Sequence, residues 1–506
     1  MAQEASVMSI SIPPQAHLPQ VDGAQVSRMS NYALQLASPT SKESKPSYTP
    51  LPSKKHPVLV RKVRHTYGAV YQRLFLFVFF ANLVAFVILF GKVDLYSQRM
   101  LSWLATASAA NIMIAVAMRQ QYVINALFKT CWLIPRSAPL RLRRMAAKCY
   151  EFGGVHSGAA VSSTVWFLVF TSILMKRASE DQNRARYGPV LALAWILLLL
   201  LISICVFAIP HFRTVSHNTF EFVHRFAGWS SLALFWVELI LFAAFSVEST
   251  TSVGRLLIRE PAFWCLIVTT GFIIWPWLLL RKLSVRAEYL SERAVRLHFT
   301  GYTVPSFSGI ALSTSPLMEW HSFACMAAPP DGGSVLISNS GDWTRGEPTN
   351  RLIIMMHKLT HLDTVYSPKP YYWVRGIPVT GVLNMAQVFD KVVIVTTGSG
   401  IGPVLSYLVG DKRKGKCRLI WSGKQSLPHA STIMLTSVQF PIQCALMVRR
   451  SLRQSNRLIV PRSSGTPRNR GVQILLRWPI IIMLSLVPRY VFKVATSVHT
   501  DHSFRI

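Results

Sequence analysis

The chain has 506 residues, 51% of them hydrophobic and only 15% charged, which excludes an intrinsically disordered chain and points to long lipid-compatible segments joined to soluble parts. Its formal net charge is +33, but the basic residues form no single stripe and no nucleic-acid motif, which excludes nucleic acid as the partner; many flank apolar runs, where Lys and Arg meet anionic lipid and set orientation. The seven cysteines (131, 149, 205, 265, 325, 417 and 444) are scattered without a CxxC pair and read as reduced structural thiols.

Residues 1–60 are rich in Ser, Pro, Gln and Lys without an apolar period, so a disordered cytosolic N-terminus is expected, with no cleaved signal peptide. Six apolar segments follow, Leu74–Gly91, Met100–Met118, His156–Met175, Pro189–Pro210, Phe226–Val247 and Pro261–Leu280. Each is close to the roughly 20 residues a spanning helix needs. They predict a multi-pass helical membrane domain over 61–283. Basic residues cluster before the first segment, between the second and third, and after the sixth (Arg281, Lys282, Arg286). The positive-inside rule then puts both termini in the cytosol.

After Ser284 the texture changes. The run VRAEYLSERAVRLHFTGY alternates apolar and polar residues, as half-buried strands do. Short strand-like runs separated by Gly and Pro continue to about Asn384, predicting a small antiparallel barrel over 284–385. From Ala386 a βαβ pattern takes over, giving an α/β nucleotide-binding unit over 386–425. The tail, 426–506, stays unassigned. After Asp411 its one acid is Asp501, and the run Trp478–Val487 is too short to span a membrane. It reads as a basic cytosolic extension or as a mispredicted frame.

The chemistry begins at TTGSGIGP, Thr396–Pro403. A buried-strand pattern precedes it and a helical one follows, the geometry that cradles phosphate. It is not a P-loop, because no Gly-Lys-Ser/Thr follows. Nor is it the Rossmann GxGxxG, since Pro403 stands at the third glycine. An NAD site would want an acid at the end of the next strand; CRLIWSGK ends instead in Ser422 and Lys424, a hydroxyl and a cation that suit the extra phosphate of NADPH. Taken alone, the motif leaves a glycine turn of any α/β domain equally open.

TTGSGIGP is similar to the NADPH loop of ferredoxin-reductase-type modules. Upstream and in order, Glu319–Ala324 (EWHSFA) resembles the flavin motif of ferric reductases and NADPH oxidases, and Gly341–Thr344 (GDWT) resembles their second flavin segment. GGVHSG at Gly153–Gly158 and the NTFE and HRFAGW stretches within Asn218–Trp229 resemble fungal TmpA-type membrane flavoproteins of that superfamily. The resemblance covers roughly Phe75–Lys424. It implies six helices, a FAD-binding barrel and an NADPH-binding α/β domain. FAD would lie on His321, Ser322, Phe323, Gly341, Asp342, Trp343 and Thr344. NADPH would lie on Gly398, Ser399, Gly400, Gly402 and Pro403, with Ser422 and Lys424. The chain departs from the family at Ala324, where a Ser or Thr is usual, at Ser322, which replaces Pro, at Ser338–Asn339, where an arginine often stands, and in a C-terminus without the elements that complete the nicotinamide pocket.

The superfamily pairs histidines on its third and fifth helices to hold two haems. His156 and His224 supply the inner pair, and the resemblance implies one haem there. At the outer positions stand Val169 or Phe170 and Val237 or Glu238. The plainer reading makes both histidines interfacial groups bonded to backbone or lipid. Glu238 is an acid inside an apolar segment, which suits a proton or quinone contact. The resulting expectation is a plasma-membrane or endomembrane oxidoreductase passing electrons from NADPH through FAD to a small-molecule or quinone-like acceptor. The resemblance places it in fungal development or secondary metabolism. The alternative is a flavin-binding redox sensor or scaffold with little or no turnover.

Overall fold

The computed structural model describes residues 56–182, 187–245, 252–291, 294–317, 319–328, 332–338, 371–397, 400–410, 417–424, 431–436 and 481–484. The N-terminal stretch expected to be disordered lies, up to residue 55, outside the described residues. Val58–Ile506 is one compact unit, and it holds the helices, the barrel and the α/β sheet.

Among the described residues, seven helices of ten or more residues precede the first strand: α1 (Val70–Lys92), α2 (Gln98–Ala117), α3 (Gln121–Trp132), α4 (Gly153–Glu180), α5 (Gly188–Ala208), α6 (His217–Phe245) and α7 (Pro261–Leu278). All except α3 are long and apolar enough to cross a membrane, by length and composition. The sequence marks several of their starts. Ser97 Oγ accepts from Met100 N at 3.1 Å to cap α2, and Pro189 and Pro261 stand in the first turns of α5 and α7, where a missing N–H costs nothing.

The buried core of the bundle joins Met100, Leu104, Phe167, Phe170, Leu197 and Leu266. Small residues let helices approach. Ser108 and Ser163 exchange hydrogen bonds across the α2–α4 seam, with their hydroxyl oxygens 2.9 Å apart. A Cβ at Gly154 would stand 2.2 Å from the Tyr71 carbonyl oxygen, and one at Gly158 would stand 2.9 Å from that of Phe75. The GGVHSG stretch is thus first a packing surface against α1. Asn82 of α1 is a polar hub in this apolar setting: its Oδ1 accepts from Asn111 Nδ2 at 2.7 Å and from Trp166 Nε1 at 2.8 Å. Two of the helices start earlier than their hydropathy suggests. α4 begins at Gly153 and α6 at His217, so His224 lies two turns inside its helix rather than at its opening.

Seven strands come next, β1 (Arg281–Ser291), β2 (Ala294–Thr300), β3 (Ser308–Ser313), β4 (His321–Ala328), β5 (Gly332–Ser338), β6 (Tyr371–Val374) and β7 (Val379–Thr380). The order β4-β5-β2-β1-β6-β3 closes on itself through a β3–β4 pairing, and β7 attaches to β3. This is a six-stranded antiparallel barrel. Alternate residues point inward, as strand geometry requires: Leu283 and Val285, Leu297 and Phe299, Ile310 and Leu312, Val335 and Ile337 form its core. Cys325 is buried there, and burial pushes its thiol up to about 12, in keeping with an inert structural cysteine. Cys131, Cys149, Cys205, Cys265 and Cys325 are all free.

The last sheet combines β8 (Val392–Thr397), β9 (Cys417–Lys424), β10 (Ser431–Thr436) and β11 (Ile481–Leu484) in the order β10-β9-β8-β11, with α8 (Ile401–Gly410) between β8 and β9. β8 is parallel to both neighbours. Two strands of this sheet therefore come from beyond residue 425. The run around Ile481–Leu484, too short to span a membrane, has the right length for a buried parallel strand.

The segment between α2 and α4 fastens the second half of the unit to the first. Asn125 on α3 donates to Pro378 O at 3.0 Å and accepts from Thr380 N at 2.8 Å, and Gln121 Oε1 accepts from Ile377 N at 2.8 Å. Arg143 donates to Val388 O at 3.2 Å. Ile124 and Phe128, one turn apart on α3, enter the core of the α/β unit.

Candidate functional site

The glycine turn lies where its pattern predicts. β8 ends at Thr397, and Gly400 precedes Ile401, the first residue of α8, with Gly402 and Pro403 in the first helical turn. Gly400 and Gly402 are buried, and the N–H groups of the helix start, which have no partner within the helix, lie with the positive end of its dipole at the C-terminal edge of a parallel sheet. The Thr396 hydroxyl is buried there and finds no hydrogen-bond partner among the described residues. β9 brings Ser422 opposite Thr397, and Lys424 follows two residues on. Gly398 and Ser399 lie outside the described residues, as do Gly341, Asp342, Trp343 and Thr344 of the second flavin segment.

What local sequence could not give is the partner of α8. It packs on the outer face of β4, the strand that carries the EWHSFA motif. Met326 of β4 joins one apolar cluster with Ile401, Val404 and Leu405 of α8, and Ser406 Oγ donates to the Cys325 carbonyl. Strand alternation puts Ser322, Ala324 and Met326 on this outer face. Ser322 is exposed, and Ala324 offers only a methyl. His321 and Phe323 share the other face, where Phe323 packs on the barrel core.

His321 sits at the barrel end nearest α6. Its Nε2 is 3.5 Å from Glu319, and on α6 His217 Nε2 is 2.9 Å from Glu221. Burial holds the His321 imidazole below its ordinary range, while Glu221 and Glu319 pull the other way. A depressed folded-state value means the unfolded chain takes the proton first. Stability from this group is complete above about 6.5, its unfolded value, and is lost as pH falls below it. Melting temperature measured across this range should drop on acidification, and His321→Gln should flatten that slope.

An aromatic seam joins the motif to the bundle. Trp320, adjacent to His321, meets Trp277 of α7 edge-on at 6.3 Å between centroids, and Trp277 meets Trp229 of α6 at 5.7 Å. Arg375 is stacked on both sides, 4.5 Å from the Trp320 ring and 5.1 Å from that of Trp277. Burial, with Arg225 nearby, lowers its guanidinium to about 10. Arg225 donates to Leu317 O at 3.0 Å. No sequence signal singled out Arg375 or Trp277; Trp320 and Trp229 stood inside the EWHSFA and HRFAGW stretches without a role of their own.

Deeper in the bundle, the His156 and His224 rings face each other at 6.1 Å between centroids, 60° apart. His156 Nδ1 lies 2.8 Å from the Ala115 carbonyl, the contact a metal-bound imidazole uses to fix its other nitrogen toward the metal. His224 Nδ1 is buried without a partner among the described residues. Among the described residues no group of three or more His, Cys, Asp or Glu could hold a metal ion, so a haem here would draw on these two imidazoles alone. Glu238 is 4% exposed, and both carboxylate oxygens lack a partner among the described residues. It lines a cavity of about 20 Å³ with Phe167, Phe170, Phe235 and Phe242, enough for one water.

Comparison with known proteins gives two kinds of likeness. The family described as "Adenylate-forming reductase 03009, C-terminal domain" matches residues 382–447, the stretch that holds the glycine turn. The chain is 37% identical over 375 residues to Adenylate-forming reductase 06235 of Coprinopsis cinerea and 37% identical over 372 residues to Adenylate-forming reductase 03009 of the same organism. These alignments cover 74% and 73% of this chain, but 34% of each relative. The chain thus spans about a third of the length of the curated relatives it matches. Among solved structures, flavohemoglobin from Malassezia yamatoensis aligns at TM-score 0.27 and 11% identity, over 71% of this chain and 82% of that one. The cytochrome b5 reductase domain of Ulva prolifera nitrate reductase aligns at TM-score 0.25 and 9% identity, over 42% and 88%.

Proposed function

We propose that this chain is a membrane-embedded flavoprotein reductase that takes electrons from NADPH and passes them, through FAD, to an acceptor at or within the bilayer. The observation that carries this reading is the seating of the nucleotide-type turn of α8 against β4, the strand bearing EWHSFA. A dinucleotide and a flavin held by these two elements would share one cleft. The residues fit both groups. Buried glycines, a helix start and the unpartnered Thr396 hydroxyl suit a pyrophosphate, and Ser422 and Lys424 suit the NADPH phosphate. Ser322 and Ala324 form an open polar-to-apolar strand face for a flavin edge. FAD supplies the conversion of a hydride into single electrons; the chain binds, orients and excludes water. His156 and His224 would hold one haem as a further carrier.

The relatives' shared name, adenylate-forming reductase, supports assigning a reductase role to the matched portion. The membrane location, with both ends in the cytosol, rests on the six apolar helices and their basic flanks. A second reading, a flavin-binding sensor or scaffold, is favoured by Ala324, which brings no hydroxyl to the flavin face.

An anaerobic visible spectrum of detergent-purified protein, before and after NADPH, separates the two. The reductase reading expects a flavin band that bleaches; a flavin band indifferent to NADPH leaves the scaffold. A sharp Soret peak lost in His156→Ala or His224→Ala would add the haem. Folded protein that takes up no FAD would sink both.

A further inference from the structure

Two of the free cysteines meet where the bundle joins the α/β unit. Cys131 stands in the last turn of α3, and Cys149 opens a short 3-10 turn, Cys149–Phe152, that leads into α4. The turn packs on α3, and a side-chain hydrogen bond joins the two thiols. Both are half-buried, and both lie against the apolar cluster of the α/β unit. Cys149 Sγ also donates to Met385 Sδ at 3.7 Å. Other cysteines face oxygen instead. Cys205 Sγ lies 3.4 Å from Thr164 Oγ1, and Cys325 Sγ donates to the Phe323 carbonyl at 3.9 Å. The segment between the pair, 132–148, carries Arg136, Arg141, Arg143, Arg144 and Lys148 and no acid. It is also a segment that holds the α/β unit: Arg136 Nε donates to Gln387 O and Arg143 to Val388 O, each at 3.2 Å.

We propose that Cys131 and Cys149 form a reversible thiol–disulfide site, oxidised by a small anionic disulfide of the glutathione class. It is independent of the reductase reading above. Three features select a redox pair over two structural thiols. α3 and the turn hold the sulfurs side by side, so the bond-closing step is intramolecular and favoured by a high effective concentration. Both thiols are partly accessible, as exchange requires. The basic segment between them attracts an anionic disulfide. The exchange balances. One thiol of the pair loses its proton and attacks a sulfur of oxidised glutathione. The S–S bond of that molecule breaks, a mixed disulfide forms, and one glutathione leaves and takes up a proton. The second protein thiol then loses its proton and attacks the protein sulfur of the mixed disulfide, releasing the second glutathione, which is protonated in turn. Two protein thiols give up two electrons, and one glutathione disulfide becomes two thiols. The new bond closes 131–149 into a ring. It also draws Cys149 Sγ toward Cys131 and away from Met385, which lies in the stretch Val382–Val388 that runs into β8. The disulfide thereby ties down the segment that grips the nucleotide-type unit.

The test uses the full-length wild type in detergent, equilibrated with oxidised glutathione, alkylated, digested and read by mass spectrometry. A peptide cross-linked through Cys131 and Cys149 should dominate, and excess reduced glutathione should return both residues to the alkylated form. This readout needs no variant to fold. A second readout follows tryptic cleavage of the native protein after Arg136 and Arg141, both exposed. Oxidation should slow it about tenfold, because ring closure restrains local opening of the segment. Cys131→Ser and Cys149→Ser should each remove that slowing. Three results overturn the site: both thiols still alkylated after oxidation, glutathione adducts without a cross-link, or a cross-link to some other cysteine. A Cys131–Cys149 cross-link that leaves cleavage unchanged keeps the site and overturns its hold on the segment.

Discussion

Gly154→Leu is expected to prevent the helical bundle from assembling, whereas Gly271→Leu is expected to be harmless. The two glycines both lie inside long apolar helices, so hydropathy and propensity treat them alike. They differ in what a side chain would meet. A Cβ at Gly154 would lie 2.2 Å from the Tyr71 carbonyl oxygen and 3.0 Å from Leu74 Cβ; one at Gly271 has nothing within 4 Å. A backbone oxygen cannot rotate away, so α1 and α4 would have to separate along the seam where Gly158 also touches Phe75. Overpacking alone costs about 1–3 kcal/mol. Separation here also releases the Asn82 hub, whose oxygen serves Asn111 and Trp166, and orphaned buried donors cost about 1–3 kcal/mol each. Against a total stability of roughly 5–15 kcal/mol, the sum is a large fraction of what holds the bundle together. At Gly271 a leucine gains up to about 1 kcal/mol of helix propensity. Detergent-solubilised yield and melting temperature decide it: equal behaviour of the two variants would show that the α1–α4 approach is not as close as the structure has it.

The sequence carried the parts better than their neighbours. Six apolar helices, the barrel and the strand–turn–helix at Thr396–Pro403 all follow from local periodicity and turn chemistry. Local rules failed where an element is defined by what it touches. Residues 119–148 carry enough Arg and Lys to be taken as a basic loop, yet Ile124 and Phe128 one turn apart mark α3 as amphipathic, and Asn125 and Gln121 beside them find backbone partners some 250 residues later. The start of α6 was missed because His217, Asn218 and Glu221 lower its hydropathy, although they extend the helix toward the barrel. In the tail, IIML could not be told from a short buried helix by pattern alone; its place beside β8 is a tertiary decision. The site shows the same division. Ser322, Trp320 and the glycines were visible as motif, but Trp277 and Arg375, which join Trp320 to the bundle, come from two distant segments.

Gly402→Ala should raise the stability of the ligand-free protein slightly while slowing NADPH-dependent bleaching of the flavin by about two orders of magnitude. The opposite signs are what make the variant informative. A methyl at Gly402 would meet only Leu336, at 3.7 and 3.8 Å, an ordinary contact that requires nothing to move. Alanine in a helical turn is better than glycine by up to about 1 kcal/mol, so the fold gains. The nucleotide loses, because a pyrophosphate on this helix start must approach the backbone N–H groups to hydrogen-bond distance, and a side chain there holds it off. Two orders of magnitude correspond to about 2.7 kcal/mol, the scale of one or two charge-assisted hydrogen bonds. Light-driven reduction of the flavin bypasses the dinucleotide and should proceed at the same rate in both proteins. If Gly402→Ala bleaches as fast as the wild type, the dinucleotide does not sit on α8, and the glycines serve only to turn the chain. If both routes slow together, the alanine has disturbed β4 through Leu336 and the barrel, and the close packing of α8 on the flavin strand becomes the feature to re-examine. Stabler protein, slower NADPH and unchanged photoreduction together would place the dinucleotide on this turn by function as well as by geometry.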